Sequence, residues 1–183
     1  MKKTILFAAA ALALAACGKK EQPAAETSAQ PVTAQAAVLP AGSYQKKQTY
    51  FKLPGASGGE IDLASYAGKP LMLMFFTEGC PFCRKAGPEL ERLYNSYSKK
   101  GMNFVGICIQ DDKDAPLGFA KDLGITFPLA YGGRAVYKAY KAQGVPYIYL
   151  LDRDHKIVNV WEGYDESYAP EMVKGIEGLL GKK

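Results

Sequence analysis

The stretch that most constrains this chain is Leu71-Met72-Leu73-Met74-Phe75-Phe76, six consecutive apolar residues, with Cys80-Pro81-Phe82-Cys83 following after a three-residue gap. An unbroken apolar run of this length reads as a strand buried on both faces, and such strands belong to sheets covered by helices on each side. Residues 81–99 then predict a helix, because Leu90, Leu93, Tyr94 and Tyr97 fall at i, i+3, i+4 and i+7 and form one apolar stripe. The cysteine pair therefore stands at the junction where a central strand hands over to a helix. Residues 50–53 and 60–63 read as short strands around the turn-rich Pro54-Gly55-Ala56-Ser57-Gly58-Gly59. Residues 103–109 read as a second buried strand. A helix over 115–123 ends at Gly124, a short strand follows over 127–130, and a short helix over 135–141. Residues 147–151 and 157–161 form a hairpin around Asp152-Arg153-Asp154-His155, and 168–180 a closing helix. Strands alternating with helices and ending in a hairpin imply an α/β domain of three layers with a central mixed sheet.

Composition narrows the function. A net charge of +5 over 183 residues, with no long block of Lys and Arg, argues against nucleic acid as a partner. A single His leaves no material for a His-rich metal centre, so the weight falls on Cys17, Cys80, Cys83 and Cys108.

Residues 1–16 read as a signal peptide. Lys2 and Lys3 give a basic start, and the apolar run over 5–16 is shorter than the roughly 20 residues that span a bilayer. Leu14-Ala15-Ala16-Cys17 resembles a bacterial lipobox. That resemblance implies a lipidated Cys17, anchoring to a membrane and an extracytoplasmic, periplasmic location where disulfides persist. The plainer readings are an ordinary signal peptide with a chance Cys, or a core helix. Gly18 lacks the Asp that enterobacterial sorting uses for inner-membrane retention, which leans towards the outer membrane. Residues 17–42 are rich in Ala, Gln, Pro, Thr and Ser without an aromatic residue, the composition of a tether spanning roughly 25–30 Å. The folded domain is expected over 43–183.

A thiol at a helix N-terminus faces unpaired backbone N–H groups and the positive end of the helix dipole, and both favour the nucleophilic thiolate. Pro81 suits the first helical position, where its missing N–H has no partner to lose. Arg84 and Lys85 add positive charge to the first turn. The two-residue spacing allows one small disulfide between Cys80 and Cys83. A structural disulfide and half of a zinc site are the competing readings. Zinc needs further ligands, and neither a second Cys pair nor a His pair is present.

The chain over about 48–180 resembles the thioredoxin-fold thiol–disulfide oxidoreductases, and within them the TlpA/ResA-like group of membrane-tethered extracytoplasmic proteins. The resemblance rests on Phe51-Lys52-Leu53-Pro54, Gly68-Lys69-Pro70, Phe75-Phe76, Cys80-Pro81-Phe82-Cys83-Arg84-Lys85, Pro88 and Gly144-Val145-Pro146. It implies a thioredoxin fold with an extra N-terminal β-hairpin. It implies Cys80 as the attacking thiol, Cys83 as the resolving thiol and no cofactor. It also implies a cis Val145–Pro146 bond whose Val145 backbone receives an extended substrate segment. The implied partners are proteins with disulfides, such as apocytochrome c or other envelope enzymes, and a membrane electron donor of the DsbD or CcdA type.

Several residues depart from the group's pattern. Gly79 replaces the usual Trp, Met74 the usual Asp or Asn, and Ala86 the usual Glu, so the customary buried proton acceptor is missing. Glu78 is the nearest acidic candidate to tune Cys80, against a plainer reading as a solvated loop residue. The Pro after the first Cys is shared with the DsbA-type oxidases, which keeps an oxidase or isomerase open. Thr77 with Cys80 matches the end of the peroxiredoxin pattern, although Leu73 stands where that pattern needs Pro. A Cu(I)-binding thiol pair in a metallochaperone is the non-catalytic alternative. Cys108 reads as a small core residue with a third redox thiol as the sharper option. His155, in a charged turn, reads as solvated.

Overall fold

The computed structural model describes residues 49–181. The expected signal peptide, Cys17, the tether and the first residues of the expected domain lie outside the described residues. The order of elements is β1 (Lys52–Pro54), β2 (Glu60–Asp62), a 3-10 turn (Leu63–Tyr66), β3 (Leu71–Phe76), α1 (Pro81–Tyr97) and a second 3-10 turn (Ser98–Lys100). There follow β4 (Asn103–Cys108), α2 (Asp114–Leu123), β5 (Leu129–Ala130), α3 (Arg134–Ala139), β6 (Tyr147–Leu151), β7 (Ile157–Glu162) and α4 (Tyr168–Leu180).

Five strands make one mixed sheet in the order β5-β4-β3-β6-β7. β4 runs parallel to β3, with Phe76 opposite Cys108, and β6 runs antiparallel to it, with Phe75 opposite Tyr147. Every residue of β3 is buried. The strand period of two divides them between the faces. Met72, Met74 and Phe76 pack with Leu90 and Leu93 of α1, Phe119 of α2 and Met172 and Ile176 of α4. Leu71, Leu73 and Phe75 pack on the opposite face with Leu63, Tyr140 and Tyr149. The apolar stripe expected on α1 is the face it buries: Leu90, Leu93 and Tyr97 are buried and Tyr94 half-buried. The thioredoxin fold is thus built, with β1 and β2 as a separate N-terminal hairpin. That hairpin docks on β5, where Ala56 N–H donates to Leu129 O at 2.8 Å and Tyr131 N–H to Pro54 O at 3.2 Å.

β5 is only Leu129–Ala130, shorter than the expected 127–130. Pro128 has no N–H to give a ladder, although its carbonyl still accepts from Gly106 N–H at 3.0 Å. α1 runs through Pro88 without interruption.

His155 corrects its expected solvation. It is buried, at 2% exposure, and sits at a φ of 56°. Its Nε2 lies 3.1 Å from Tyr66 O and 3.2 Å from Lys69 O. Carbonyls only accept, so Nε2 carries the proton and ties the β6–β7 turn to the loop before β3. Glu91 is a second buried polar group, on α1. It accepts from Thr126 N–H at 2.8 Å, Thr126 Oγ1 at 2.6 Å and Asn95 Nδ2 at 3.1 Å, fastening α1 to the segment before β5.

The face beneath Phe75 holds a tyrosine cluster. Burial pushes the Tyr140 and Tyr149 phenols up, and the hydrogen bond to Glu162 pushes Tyr147 up to about 12. Their folded values lie above that of an ordinary phenol, so their contribution to stability is complete below the ordinary value and is lost as pH rises through the folded values. An ultraviolet pH titration is expected to show these phenolates forming last, together with alkaline unfolding.

Candidate active site

β3 ends at Phe76, and Thr77, Glu78 and Gly79 carry the chain into Cys80, the N-cap of α1. Cys80 keeps an extended backbone, with φ −74° and ψ 117°, so its sulfur turns over the open end of the helix. The N–H of Cys83 donates to Cys80 Sγ at 3.2 Å. A sulfur here does the work of a capping oxygen. Cys80 Sγ in turn donates to Val145 O at 3.4 Å, and the Val145–Pro146 bond is cis. Pro81 occupies the first helical position.

The two thiols differ in access. Cys80 is half-buried, Cys83 is fully buried and Phe82 between them is 54% exposed. Burial first, then the hydrogen bond with Cys80, pushes the Cys83 thiol up, and the Thr77 backbone opposes them. Cys80, Cys83 and Cys108 are free thiols. One sulfur can attack from the surface, and a protonated one waits one turn behind it. On the reduced protein at neutral pH, iodoacetamide is expected to label Cys80 first. Cys83 and Cys108 should be labelled only after unfolding, as read by peptide mass mapping.

The neighbouring charges fall differently from the reading of the sequence. Arg84 pairs with Asp122 of α2 at 2.9 Å. Lys85 Nζ sits 5.5 Å from the Phe82 ring centroid. Glu78 is half-buried rather than solvated: its carboxylate lies where a Cβ on Gly118 of α2 would come within 2.3 Å of Oε1. Gln110 Oε1 accepts from Glu78 N–H at 2.9 Å and from Cys108 Sγ at 3.6 Å. Burial first, with Glu78 and Asp112 adding, pushes the Cys108 thiol up. Thr77 contributes backbone, accepting from Cys80 N–H at 3.3 Å. Among the described residues no group of three or more His, Cys, Asp or Glu could hold a metal ion, and no helix is long and apolar enough to cross a membrane.

One wall of the site is invisible in the sequence. Gly163 N–H donates to Pro146 O at 2.9 Å, which brings the loop over Tyr164, Asp165 and Glu166 alongside the cis proline. The left-handed turn at Gly163, φ 74°, was the only local signal.

Fold and thiol arrangement together define the class, the thiol–disulfide oxidoreductases of the thioredoxin superfamily. Residues 45–160 match the AhpC/TSA family, and the chain belongs to it. It is 28% identical over 119 residues to the thiol-disulfide oxidoreductase ResA of Bacillus thuringiensis subsp. konkukian, covering 64% of this chain and 69% of that protein. Among solved structures, a secreted Mycobacterium tuberculosis disulfide oxidoreductase homologous to DsbE of E. coli superposes with a TM-score of 0.63 at 23% identity, covering 73% of this chain and 99% of the other. A thioredoxin family thiol:disulfide interchange protein from Chlorobium tepidum gives 0.64 at 22%, covering 72% and 94%.

Proposed function

We propose that this protein is a membrane-anchored extracytoplasmic reductase of protein disulfides, working through Cys80 and Cys83. The observation that carries the reading is the unequal pair at the start of α1: a reachable sulfur capping the helix and a buried thiol behind it.

The Cys80 thiolate attacks one sulfur of a substrate disulfide. A Cys80–substrate S–S bond forms, the substrate's own S–S bond breaks, and the leaving thiolate takes up a proton. Cys83 then gives up its proton and attacks Cys80 Sγ. The Cys80–Cys83 disulfide forms, and the substrate leaves as a second thiol. Two electrons have passed from protein to substrate. Val145, presented by the cis Val145–Pro146 bond beside Cys80 Sγ, is the backbone that receives the substrate strand. Pro81 and Phe82 set the spacing and the outer wall.

In this reading Cys17 is lipidated and holds the domain on the periplasmic face of a membrane, the outer membrane by Gly18. A membrane dithiol donor of the DsbD or CcdA type restores the reduced pair. Apocytochrome c and disulfide-bearing envelope enzymes are the substrates to test.

The experiment compares directions. Reduced protein is mixed with insulin, and oxidised protein with reduced, unfolded ribonuclease. Faster insulin reduction supports the proposal. Faster ribonuclease oxidation, or turnover of hydrogen peroxide in preference to either, overturns it. Fractionation of cells producing the Cys17→Ala variant tests the anchor, and an unchanged membrane fraction would sink it.

A further inference from the structure

Beside Cys80 lies a groove of about 310 Å³ bounded by Phe82, Lys85, Tyr164, Asp165 and Glu166. Its two banks come from elements far apart in sequence. Phe82 and Lys85 stand on the first turns of α1, directly after the reachable thiol. Tyr164 to Glu166 belong to the loop that Gly163 fastens to Pro146. Through Pro146 that loop adjoins Val145, whose carbonyl accepts from Cys80 Sγ at 3.4 Å.

Its chemistry is uneven. Phe82 is 54% exposed, although a phenyl ring on a soluble surface favours burial. Lys85 lies near that ring, 5.5 Å from its centroid, in a cation–π contact. Across the groove Asp165 accepts from Ser167 N–H at 2.9 Å, and the Ser167 hydrogen bonds hold its carboxyl below the usual range, so it is charged. Glu166 is exposed next to it. Glu89, on the α1 side, is already engaged by Arg92 at 2.6 Å. Two carboxylates against the one ammonium of Lys85 leave the lining net negative, and beside an aromatic platform this fits a side chain that is both long and cationic, since its stem covers the ring while its head reaches the acids.

We infer that this groove is a specificity subsite for the polypeptide substrate, taking a Lys or Arg side chain close to the cysteine under attack, with Phe82 packing its stem and Asp165 and Glu166 receiving its charge. The inference rests on the disulfide-reductase reading and names its substrate class: disulfides flanked by basic residues. It makes Phe82, Asp165 and Glu166 determinants of choice, while the sulfur chemistry stays with Cys80 and Cys83.

The test uses three disulfide-linked peptides that differ only at the residue after one cysteine: Lys, Ala or Glu. The Lys peptide is expected to have a kcat/KM about fivefold above the Glu peptide, in line with two partly exposed charge contacts, with the difference in KM and shrinking as salt rises. Asp165→Asn with Glu166→Gln is expected to bring the ratio to about one, and Lys85→Gln to widen it. Glu60→Gln, which neutralises a carboxylate on the distant hairpin, should leave the ratio alone. A ratio of one in the unaltered protein, or the same loss with Glu60→Gln, overturns the subsite. Equilibrium binding of the same peptides with Ser for Cys reads the groove without chemistry. A Lys preference there without any turnover keeps the subsite and overturns the reductase reading. Equal affinities overturn the subsite whatever the turnover.

Discussion

Cys80→Ser is expected to lower the rate of insulin-disulfide reduction at least about a thousandfold, close to the rate of the reductant alone, because a hydroxyl at this position does not ionise near neutral pH. The variant should fold normally. A serine oxygen caps a helix at least as well as sulfur, so the Cys83 N–H keeps an acceptor. Thermal unfolding separates the two effects: activity vanishes while the midpoint stays within a few degrees. Cys83→Ser gives the complementary result. Attack by Cys80 still occurs but resolution does not, so substrates should accumulate as mixed disulfides visible on non-reducing gels. Retained activity in Cys80→Ser would remove Cys80 from the mechanism and with it the assignment of roles to the pair.

The second large effect concerns the sheet. Phe75→Ala is expected to destabilise the protein by about 3–5 kcal/mol, the range for truncating a fully buried aromatic. Phe75 is completely buried, with Tyr137, Tyr140 and Tyr149 at centroid distances of 5.7, 5.5 and 6.0 Å in edge-to-face arrangements. Deleting the ring removes contacts with all three. Val158→Ala, at a side chain 49% exposed, should change stability by only about 0.5 kcal/mol or less. Denaturant unfolding of both variants checks the contrast. A small cost at Phe75 would mean that this face repacks, contrary to the dense ring cluster.

The elements legible in the sequence are those whose order is local. The six apolar residues of β3 and the closing helix Tyr168–Leu180 are found at the expected residues, because an unbroken run and a helical period are properties of the segment itself. The cysteine pair was legible for the same reason: a strand before it and an amphipathic helix after it fix where its sulfurs stand. His155 was not legible. What buries it is a pair of carbonyls at Tyr66 and Lys69, more than eighty residues away in the chain, and nothing in Asp152-Arg153-Asp154-His155 announces them. Glu91 repeats the lesson on α1. A carboxylate beside an apolar stripe reads as surface until Thr126 is folded against it. Glu78 differs again, since its carboxylate rests against Gly118 of α2, a neighbour that only the fold supplies. The groove wall at Tyr164 to Glu166 exists only through the bond from Gly163 to Pro146.

The bond from Cys83 N–H to Cys80 Sγ has a thermodynamic consequence for the poise of the pair. A backbone donor is held more strongly by a thiolate than by a neutral sulfur, because the bond to an ion is charge-assisted. The cap is therefore worth more to the attacking thiolate than to the closed disulfide. Any free energy that favours the dithiol over the disulfide raises the reduction potential, by about 30 mV for each 1.4 kcal/mol in this two-electron couple. The first turn of α1 thus acts as a bias voltage on the couple, and its helical geometry and its electron affinity are one quantity seen from two sides.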